Sequence, residues 1–440
     1  METAIRIGQM LLSLSLLIIC HEFGHFITAK IFKCRVEKFY LFFDPWFSIF
    51  KVKRGETEYG IGWIPLGGYV KIAGMIDESM DTEALKQDPQ PWEFRTKPAW
   101  QRLIIMIAGV VVNVLLAMFI YIMIAFHWGS DYLPVQNLKY GIQVDSAAYD
   151  LGLRNGDMIL EVNEQPADNF SNVFIDLLLK DPRTITIERN GERKSFTLTD
   201  SIIAKMLNVE TPSIQPRFPF KIGDFAEGST AEGAGFQKED FVIAIDSVDC
   251  KFYDQVREKL QENKGKSSLF TVLRGDDTLN ITFQIPDDGK MGVFTYGFAE
   301  FLEYKHVDYG FFESFPVGIG KGIDKIKEYC RQWKLIFNPE TKAYKSLGSF
   351  ISMTKIFPGT WDWLVFWNIT ALFSIMLAVL NIIPIPGLDG GHALFTLIEM
   401  ITGRKPSEKF LTVAQIIGMS ILILLMVFAL GNDFIRHVFN

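Results

Sequence analysis

Four long apolar blocks constrain the fold of this chain more than any other feature of its sequence. They cover about residues 7–31, 103–126, 364–385 and 411–430, and the second and fourth contain no charged residue. At about 1.5 Å per residue, twenty helical residues cross the ~30 Å hydrocarbon core of a bilayer. A buried core helix is the alternative for each block, but uncharged runs of this length make it the weaker one. We therefore predict a multi-pass α-helical membrane protein with four transmembrane helices.

Basic residues near the ends of these blocks predict the orientation of the chain. They flank two short loops: Lys30, Lys33, Arg35, Lys38, Arg95, Lys97 and Arg102 between the first two blocks, and Arg404, Lys405 and Lys409 between the last two. The positive-inside rule places both loops in the cytoplasm. Both termini and the long polar middle then lie on the periplasmic side of a bacterial inner membrane.

The composition narrows the possible partners and functions. The net charge is −7, so the chain has no basic footprint for nucleic acid. Hydrophobic residues make up 49% and charged residues 22%, which excludes a disordered chain. Four cysteines in 440 residues are too few for a disulfide framework. The lipid bilayer is the first partner that the sequence predicts.

Residues 33–100 are too apolar for a freely solvated loop. Aromatic and apolar runs at 39–43 and 60–71, joined to glycine-rich turns, predict short strands. Irregular backbone at membrane depth must be covered by protein or line a wet cavity. We therefore expect a membrane-associated β-hairpin element here, within a first membrane part at 1–130.

The polar middle contains an internal repeat with an offset of 83 residues. Gly152 and Asp157 of the first copy correspond to Gly235 and Asp240 of the second. Each copy continues with an alternating strand, a helix-like stretch and a further strand, a pattern that resembles PDZ domains. We expect two inserted periplasmic PDZ domains, at 131–208 and 209–292, which accept peptides as added strands; spacer domains are the alternative. Glu239 replaces the glycine of the first copy, so the second turn is expected to differ.

A basic amphipathic stretch follows the repeats. Ile323, Ile326, Cys330, Trp333 and Phe337 recur at helical spacing among lysines and arginines. This pattern predicts a helix on the membrane surface; packing against the second repeat is a compatible alternative. We assign 293–360 to this amphipathic region and 361–440 to the second membrane part.

The first apolar block contains the motif His21-Glu22-Phe23-Gly24-His25. Histidines at i and i+4 share one helix face and can hold one Zn²⁺, with Glu22 placed to act on a water. Ionisable groups inside a membrane span are costly and mark function. The alternative is that the two histidines have only a structural role, which leaves the presence of Glu22 in the span unexplained.

A catalytic zinc site needs a third protein ligand. Asp389 is the only acidic residue between Asp362 and Glu399, and it follows Pro384 and Pro386, which must break the third helix. We expect an unwound carboxylate at membrane depth whose best partner is a metal. His392 is a rival or outer ligand, ranked below Asp389.

This combination resembles the site-2 protease family of intramembrane zinc metalloproteases, in the branch called regulator of sigma-E protease. The residues that carry it are the His21–His25 motif, the Pro65–Lys71 segment and the Asn381–Gly390 segment. The resemblance implies one Zn²⁺ per chain held by His21, His25 and Asp389, with Glu22 as catalytic base. It also implies substrate-binding residues: Asn381, Gly67, Gly68, Tyr69, Val70 and Asn113. Val110 and Ser374 depart from the family pattern, and neither is a metal-site position.

The resemblance implies an activity and its partners. The chain would hydrolyse peptide bonds within the membrane segments of single-span proteins, such as anti-sigma factors or signal-peptide remnants. An upstream site-1 type protease would cut first, and the PDZ pair would act as a substrate size filter. The active site would lie towards the cytoplasmic side. A non-catalytic membrane adaptor and a metal transporter are the alternatives; spans two and four lack the ionisable residues that a transport path requires.

Overall fold

The computed structural model describes residues 1–65, 67–75, 88–207, 209, 211–341, 343 and 350–438. Within these ranges the helices are α1 (Glu2–Ile31), α2 (Ala99–Trp128), α3 (Ser146–Leu151), α4 (Phe170–Leu179), α5 (Asp200–Leu207), α6 (Thr230–Gly233), α7 (Tyr253–Glu262), α8 (Phe311–Ile336), α9 (Phe350–Ile356), α10 (Trp363–Ile382), α11 (Asp389–Thr402) and α12 (Glu408–Val438). The strands are β1 (Val36–Leu41), β2 (Phe50–Arg54), β3 (Thr57–Ile61), β4 (Tyr69–Ile72), β5 (Ser130–Tyr132), β6 (Ile142–Val144), β7 (Met158–Val162), β8 (Gln165–Pro166), β9 (Thr184–Arg189), β10 (Glu192–Thr197), β11 (Ile214–Pro216), β12 (Ile222–Phe225), β13 (Phe241–Ile245), β14 (Val248–Asp249), β15 (Ser267–Arg274), β16 (Asp277–Gln284), β17 (Val293–Thr295) and β18 (Lys305–Val307).

The chain divides into two compact units. The membrane unit comprises Met1–Gly129, Asp308–Lys334 and Leu347–Asn440, and the repeat unit comprises Ser130–Val307 and Leu335–Ser346. In the membrane unit, α1, α2, α10 and Lys409–Phe428 of α12 are long and apolar enough to cross a bilayer. The described residues thus contain four candidate membrane-spanning helices, as the sequence predicts, and their insertion in a bilayer stays a prediction.

Helices α1 and α2 approach each other closely at a pair of glycines. A Cβ on Gly24 of α1 would lie 2.6 Å from the Ala108 carbonyl oxygen, so only glycine fits there. A Cβ on Gly109 of α2 would lie 2.4 Å from the His25 Nε2 atom. Small residues let membrane helices pack with their backbones in near contact, and here they bring α2 against the histidine motif.

The region 33–100, where a hairpin element was expected, contains a four-stranded sheet, and its strands β2 and β3 form one antiparallel hairpin. Its order is β2-β3-β1-β4, with β1 parallel to β3 and the other pairs antiparallel. Val36, Val70 and Ile72 of the sheet pack in one core with Ala29 of α1 and Ile105 of α2. This core attaches β4, an edge strand of the described sheet, to the helices that carry the site.

The segment between the third and fourth membrane helices is partly helical. Helix α10 ends at Ile382, two residues before Pro384, and α11 begins at Asp389. The expectation of an unwound Asp389 is wrong, because this residue occupies the first turn of α11. A Cβ on Gly390 would lie 2.4 Å from the Ile382 carbonyl oxygen, so glycine lets α11 start directly against the end of α10.

The repeat unit contains two copies of one arrangement. The sheets β10-β9-β7-β8 and β14-β13-β15-β16 have corresponding strand orders, and α4 and α7 occupy corresponding places in the chain. In the turn before each central strand, φ is positive at the corresponding residue, +93° at Gly156 and +74° at Glu239. The exchange of glycine for glutamate therefore keeps a positive φ at this position, and a difference between the two turns stays a prediction. Glu239 reaches Lys221 and Tyr296, and these contacts hold its side chain.

The basic amphipathic stretch forms most of helix α8, which begins at Phe311. Gly318 of α8 lies against Ile122 of α2, where a Cβ would come within 2.4 Å of the Ile122 backbone nitrogen. Lys321 Nζ donates to Asn368 Oδ1 on α10 at 3.2 Å. Helix α8 thus packs on two membrane helices; its position at a membrane surface stays a prediction.

Candidate active site

Helix α1 places the predicted metal ligands side by side. His21 and His25 are one turn apart, and each is 7% exposed. Their Nε2 atoms lie 3.3 Å from each other. Glu22 is half-buried and lines the same cavity as both histidines. The i, i+4 spacing therefore aims two imidazole nitrogens at one point, as the motif predicted.

Asp389 completes a triangle of donor atoms. Its Oδ2 lies 3.1 Å from His21 Nε2 and 3.2 Å from His25 Nε2. Zinc bonds of about 2.0–2.2 Å in tetrahedral geometry place ligand atoms about 3.3 Å apart. The three separations match that value. Among the described residues, these three form the group that can hold a metal ion.

The charge balance of the triangle also fits a cation. Asp389 Oδ2 is buried and has no hydrogen-bond donor directed at it among the described residues. A buried carboxylate is costly unless it is paired or coordinates a metal. If both imidazoles are neutral and direct their lone pairs to the same point, they add no positive charge to balance the carboxylate. The site therefore has the acceptor set that a divalent cation requires.

A cavity of about 80 Å³ lies beside the triangle, with room for several water molecules. Its wall combines the site with the edge strand and the start of α11: His21, Glu22, His25, Gly68, Tyr69, Val70, Ile72, Met75, Met106, Asn381, Gly387, Leu388, Asp389, His392 and Gln415. The backbone N–H of Val70 faces the Glu22 carboxylate. A carboxyl group, water-sized space and the edge strand of the described sheet are thus together at one place.

The predicted substrate-binding residues fall into three groups. Gly68, Tyr69, Val70 and Asn381 line the cavity, and Asn381 Nδ2 lies 3.2 Å from His21 Nε2. Gly67 instead lies against the Phe43 ring, outside the cavity wall. Asn113 is fully buried on α2, with Nδ2 3.2 Å from His21 Nδ1. Its burial removes Asn113 from direct contact with a substrate in this structure.

Tyrosines support the edge strand from its paired side. The Tyr69 hydroxyl donates to Asp44 Oδ1 at 2.8 Å, and Tyr40 donates to Glu58 Oε1 at 2.8 Å. Burial raises the pKa of the Tyr40 phenol to about 12, and burial together with the bond to Asp44 raises the pKa of Tyr69. Both rings therefore remain neutral donors at physiological pH and hold β4 in place.

Sequence reasoning missed two contributors to the site. Gly109 supplies the space beside both histidine rings. The sequence feature that could have indicated this role is a small residue one turn before the polar Asn113 in an apolar span. Gln415 of α12 is 2% exposed, and its Oε1 lies 3.1 Å from His392 Nε2. A polar residue in a membrane helix was the signal for Gln415. His392 lines the cavity but is outside the donor triangle.

These features are those of a hydrolase whose candidate metal site lies among helices long and apolar enough to cross a membrane. Comparison with known proteins gives the family. The family model described as peptidase family M50 matches residues 9–425. The chain therefore belongs to this family and is a metalloprotease, as the sequence predicted.

Individual relatives match over almost the whole chain. A Campylobacter jejuni protein whose name describes it as a zinc metalloprotease is 30% identical over 433 residues, which cover 97% of this chain and 92% of the relative. The regulator of sigma E protease of Haemophilus influenzae is 27% identical, with 98% of each chain covered. The regulator of sigma-E protease of Salmonella typhimurium is 28% identical, again with 98% of each covered.

Proposed function

We propose that this metalloprotease hydrolyses peptide bonds inside the membrane segments of single-span membrane proteins. The observation that carries the proposal is the donor triangle of His21, His25 and Asp389 beside Glu22. This group lies on and between helices long enough to cross a bilayer. A protease site at that depth would act on segments that are themselves in the membrane. Anti-sigma factors and signal-peptide remnants are substrates of this kind.

The proposed cofactor is one Zn²⁺ per chain, held by His21 Nε2, His25 Nε2 and Asp389 Oδ2. The donor set, the spacing near 3.3 Å and the unpaired Asp389 oxygen support this assignment. When bound, zinc supplies Lewis-acid chemistry, which activates a water molecule and polarises a carbonyl group.

Glu22 is the proposed general base. It lines the cavity with the donor triangle and is next in sequence to His21. A carboxylate in this position can accept a proton from the attacking water and deliver it to the leaving amine. The cavity holds only a few water molecules, so the proton remains close to Glu22 between the two transfers.

Strand β4 is the proposed docking edge for the substrate. A membrane helix hides its carbonyl groups in i→i−4 hydrogen bonds, so the substrate must unwind before it is cut. Pairing with the free edge of β4 at Gly68, Tyr69 and Val70 replaces lost backbone bonds by β-augmentation. Asn381 lines the same cavity and can bind the substrate backbone.

The two repeats are proposed to be PDZ domains that filter substrates by size. Two sheets of corresponding order, each with a helix beside it, support this assignment. We further propose that bulky outer domains are excluded until an upstream site-1 type protease has removed them. A variant without residues 132–290 should then cleave full-length and pre-trimmed substrates at similar rates. A retained preference for the trimmed substrate in that variant would exclude the filter.

The proposed location is the bacterial inner membrane. Basic residues in the two loops place those loops in the cytoplasm, with the repeats and both termini in the periplasm. His21 is nineteen residues into α1, past the middle of a span that starts at the periplasmic face. The active site would therefore lie towards the cytoplasmic side.

Cleavage of a tagged single-span substrate in detergent tests the proposed activity. We expect Glu22→Gln to lower kcat by about 10²–10⁴-fold, the usual share of a general base, while zinc content is retained. Glu56→Gln is the matched control, because Glu56 is an exposed partner of Lys30 outside the cavity. It should cleave like the wild type.

Two results would contradict the proposal. Full activity of Glu22→Gln would mean that Glu22 is not the base. Full activity of the wild type after zinc is removed with phenanthroline would mean that the donor triangle is not a catalytic metal site.

A further inference from the structure

The two histidines of the motif need a specific protonation state to bind a metal. A neutral imidazole carries its proton on one ring nitrogen and offers a lone pair on the other. The Nε2 atoms of His21 and His25 point at Asp389. A metal ion bound at this point therefore requires each ring to carry its proton on Nδ1. A hydrogen-bond acceptor beside Nδ1 selects this tautomer.

Helix α2 supplies that acceptor for His25 through its backbone. His25 Nδ1 lies 2.8 Å from the carbonyl oxygen of Ile105. A carbonyl can only accept, so this contact fixes the proton on Nδ1 and leaves Nε2 for the metal. A backbone carbonyl is present whatever side chain position 105 carries. His25 is therefore positioned by the fold itself.

Asn113 occupies the same place for His21. Ile105, Gly109 and Asn113 follow each other at four-residue spacing and form one stripe of α2 that faces His25 and His21. Asn113 is fully buried, and its amide lies 3.2 Å from His21 Nδ1. The stripe thus offers a group to Nδ1 of each histidine, with Gly109 between them.

Only one orientation of the Asn113 amide agrees with metal binding. A donating Nδ2 would require an unprotonated Nδ1 and would put the proton of His21 on Nε2, where it blocks the metal. An accepting Oδ1 selects the opposite tautomer. Oδ1 has no hydrogen-bond partner of its own among the described residues, so no bond opposes rotation of the amide towards His21.

Helix α10 holds this arrangement from the other side. Ser374 Oγ donates to the backbone carbonyl of Asn113 at 2.8 Å. Asn381, seven residues further along the same helix, reaches His21 Nε2 at 3.2 Å. Two turns of α10 therefore contact His21 directly and through Asn113, which fixes Asn113 close to the ring.

We infer that Asn113 is a positioning residue whose Oδ1 accepts from Nδ1–H of His21 and keeps Nε2 available to zinc. This role rests on the proposed zinc site and replaces the substrate-binding role expected for Asn113. Such outer partners of ligating histidines contribute about 10–100-fold to metal affinity.

Zinc affinity, measured by competition with a chromophoric chelator in detergent, tests the inference. Asn113→Leu removes the acceptor and should weaken zinc binding by about 10–100-fold. Asn113→Asp keeps an acceptor and should bind zinc within a few-fold of the wild type or more tightly. Thr370→Val is the matched control, because it removes a buried interhelical bond to Ser13 that does not touch the site. It should leave zinc affinity unchanged.

Several outcomes would overturn the inference. Wild-type zinc affinity in Asn113→Leu would show that no acceptor is needed, and equal losses in Asn113→Asp and Asn113→Leu would show that Asn113 is a packing residue only. If Asn113→Leu fails to fold, NMR of the zinc-loaded Asn113→Asp variant decides, since a carboxylate acceptor must shift the Nδ1 proton signal of His21 from its wild-type position, and an unchanged signal would overturn the inference. Unchanged zinc binding in His21→Ala would instead contradict the proposed zinc site itself, which separates the two failures.

Discussion

The two units of the molecule compensate a carboxylate oxygen that is shielded from water in different ways. In the repeat unit, Asp157 and Asp240 are buried, and each accepts two bonds of 2.7–2.8 Å from one guanidinium, Arg189 and Arg274 respectively. A backbone N–H from the preceding turn donates to each carboxylate as well. In the membrane unit, Asp389 faces two imidazoles, and one of its oxygens has no donor among the described residues.

This difference separates a structural carboxylate from a ligand. Removing a charge from water costs several kcal/mol unless hydrogen bonds or an opposite charge compensate it. In the repeats, the arginine and a backbone N–H supply the hydrogen bonds and positive charge that the carboxylate needs, so no ligand is required. In the membrane site, one carboxylate oxygen has no such donor, and a bound cation would stabilise the folded protein there.

The strongest test of the comparison removes the uncompensated carboxylate. We expect Asp389→Ala to abolish cleavage and to lower zinc content, and we expect zinc to raise the unfolding temperature of the wild type but not of this variant, because the variant lacks one ligand. Asp362→Ala is the control: it removes the N-cap of α10, a bond from Val365 N–H at 3.0 Å, and should cost about 1 kcal/mol with activity kept. An Asp389→Ala protein that zinc stabilises as much as the wild type would break the comparison.

A second test fills the space that the site keeps open. Gly109→Ala places a methyl group 2.4 Å from His25 Nε2, so the ring or α2 must shift. A displacement near 1 Å in a catalytic group costs about 100-fold in rate. We expect at least that loss of kcat/KM, with weaker zinc binding. Gly8→Ala in α1 meets no atom within 4 Å and should be silent; full activity of Gly109→Ala would show that the site tolerates the shift.

A third test removes a compensated carboxylate. Asp157→Ala leaves the Arg189 guanidinium without its partner, at a cost of about 3 kcal/mol, and Asp240→Ala should cost the second repeat a similar amount. Hydrogen exchange of residues 142–197 and 222–284 measures each effect locally. Cleavage of a short model substrate should be retained, so loss of zinc in either variant would argue against the separation of roles.

The smallest test compares the two repeat turns. Gly156 and Glu239 both have a left-handed backbone, which costs a residue with a Cβ about 1 kcal/mol. Gly156→Ala should lower the stability of the first repeat by about that amount. Glu239→Gly should change the second repeat by less, because relief of the backbone offsets the lost contact with Lys221. Hydrogen exchange measures both changes in repeat stability. A larger loss of stability in Glu239→Gly than in Gly156→Ala would mean that the side-chain contacts of Glu239 outweigh its backbone cost.

Much of the site was predictable because its signals are local. The four apolar blocks and the i, i+4 histidines follow from the length and period of a helix, and each needs only a short stretch of sequence. Asp389 was predictable as a lone acidic residue after two prolines. Its helical start was not, because Gly390 and Gly391 permit it only where the ends of α10 and α11 meet.

Other parts depended on contacts between distant segments. The parallel pairing of β1 with β3 and the edge position of β4 extended the expected hairpin element to a four-stranded sheet. The register of α2 against α1 buried Asn113 behind His21, although its sequence suggested a residue open to substrate. Strand pairing and helix register are here set by contacts between segments tens of residues apart, which no local pattern encodes.

The sequence by itself determined that this chain has four segments long and apolar enough to cross a membrane and carries a metalloprotease motif, because hydrophobic length and donor spacing act within single segments. Only the tertiary structure decided which donors meet. It brought Asp389 within 3.2 Å of both histidines, placed the Ile105 carbonyl and Asn113 behind their rings, and set the edge strand of the described sheet beside Glu22. The physical reason is that a metal site needs sub-ångström convergence, and close helix packing at Gly24 and Gly109 provides it.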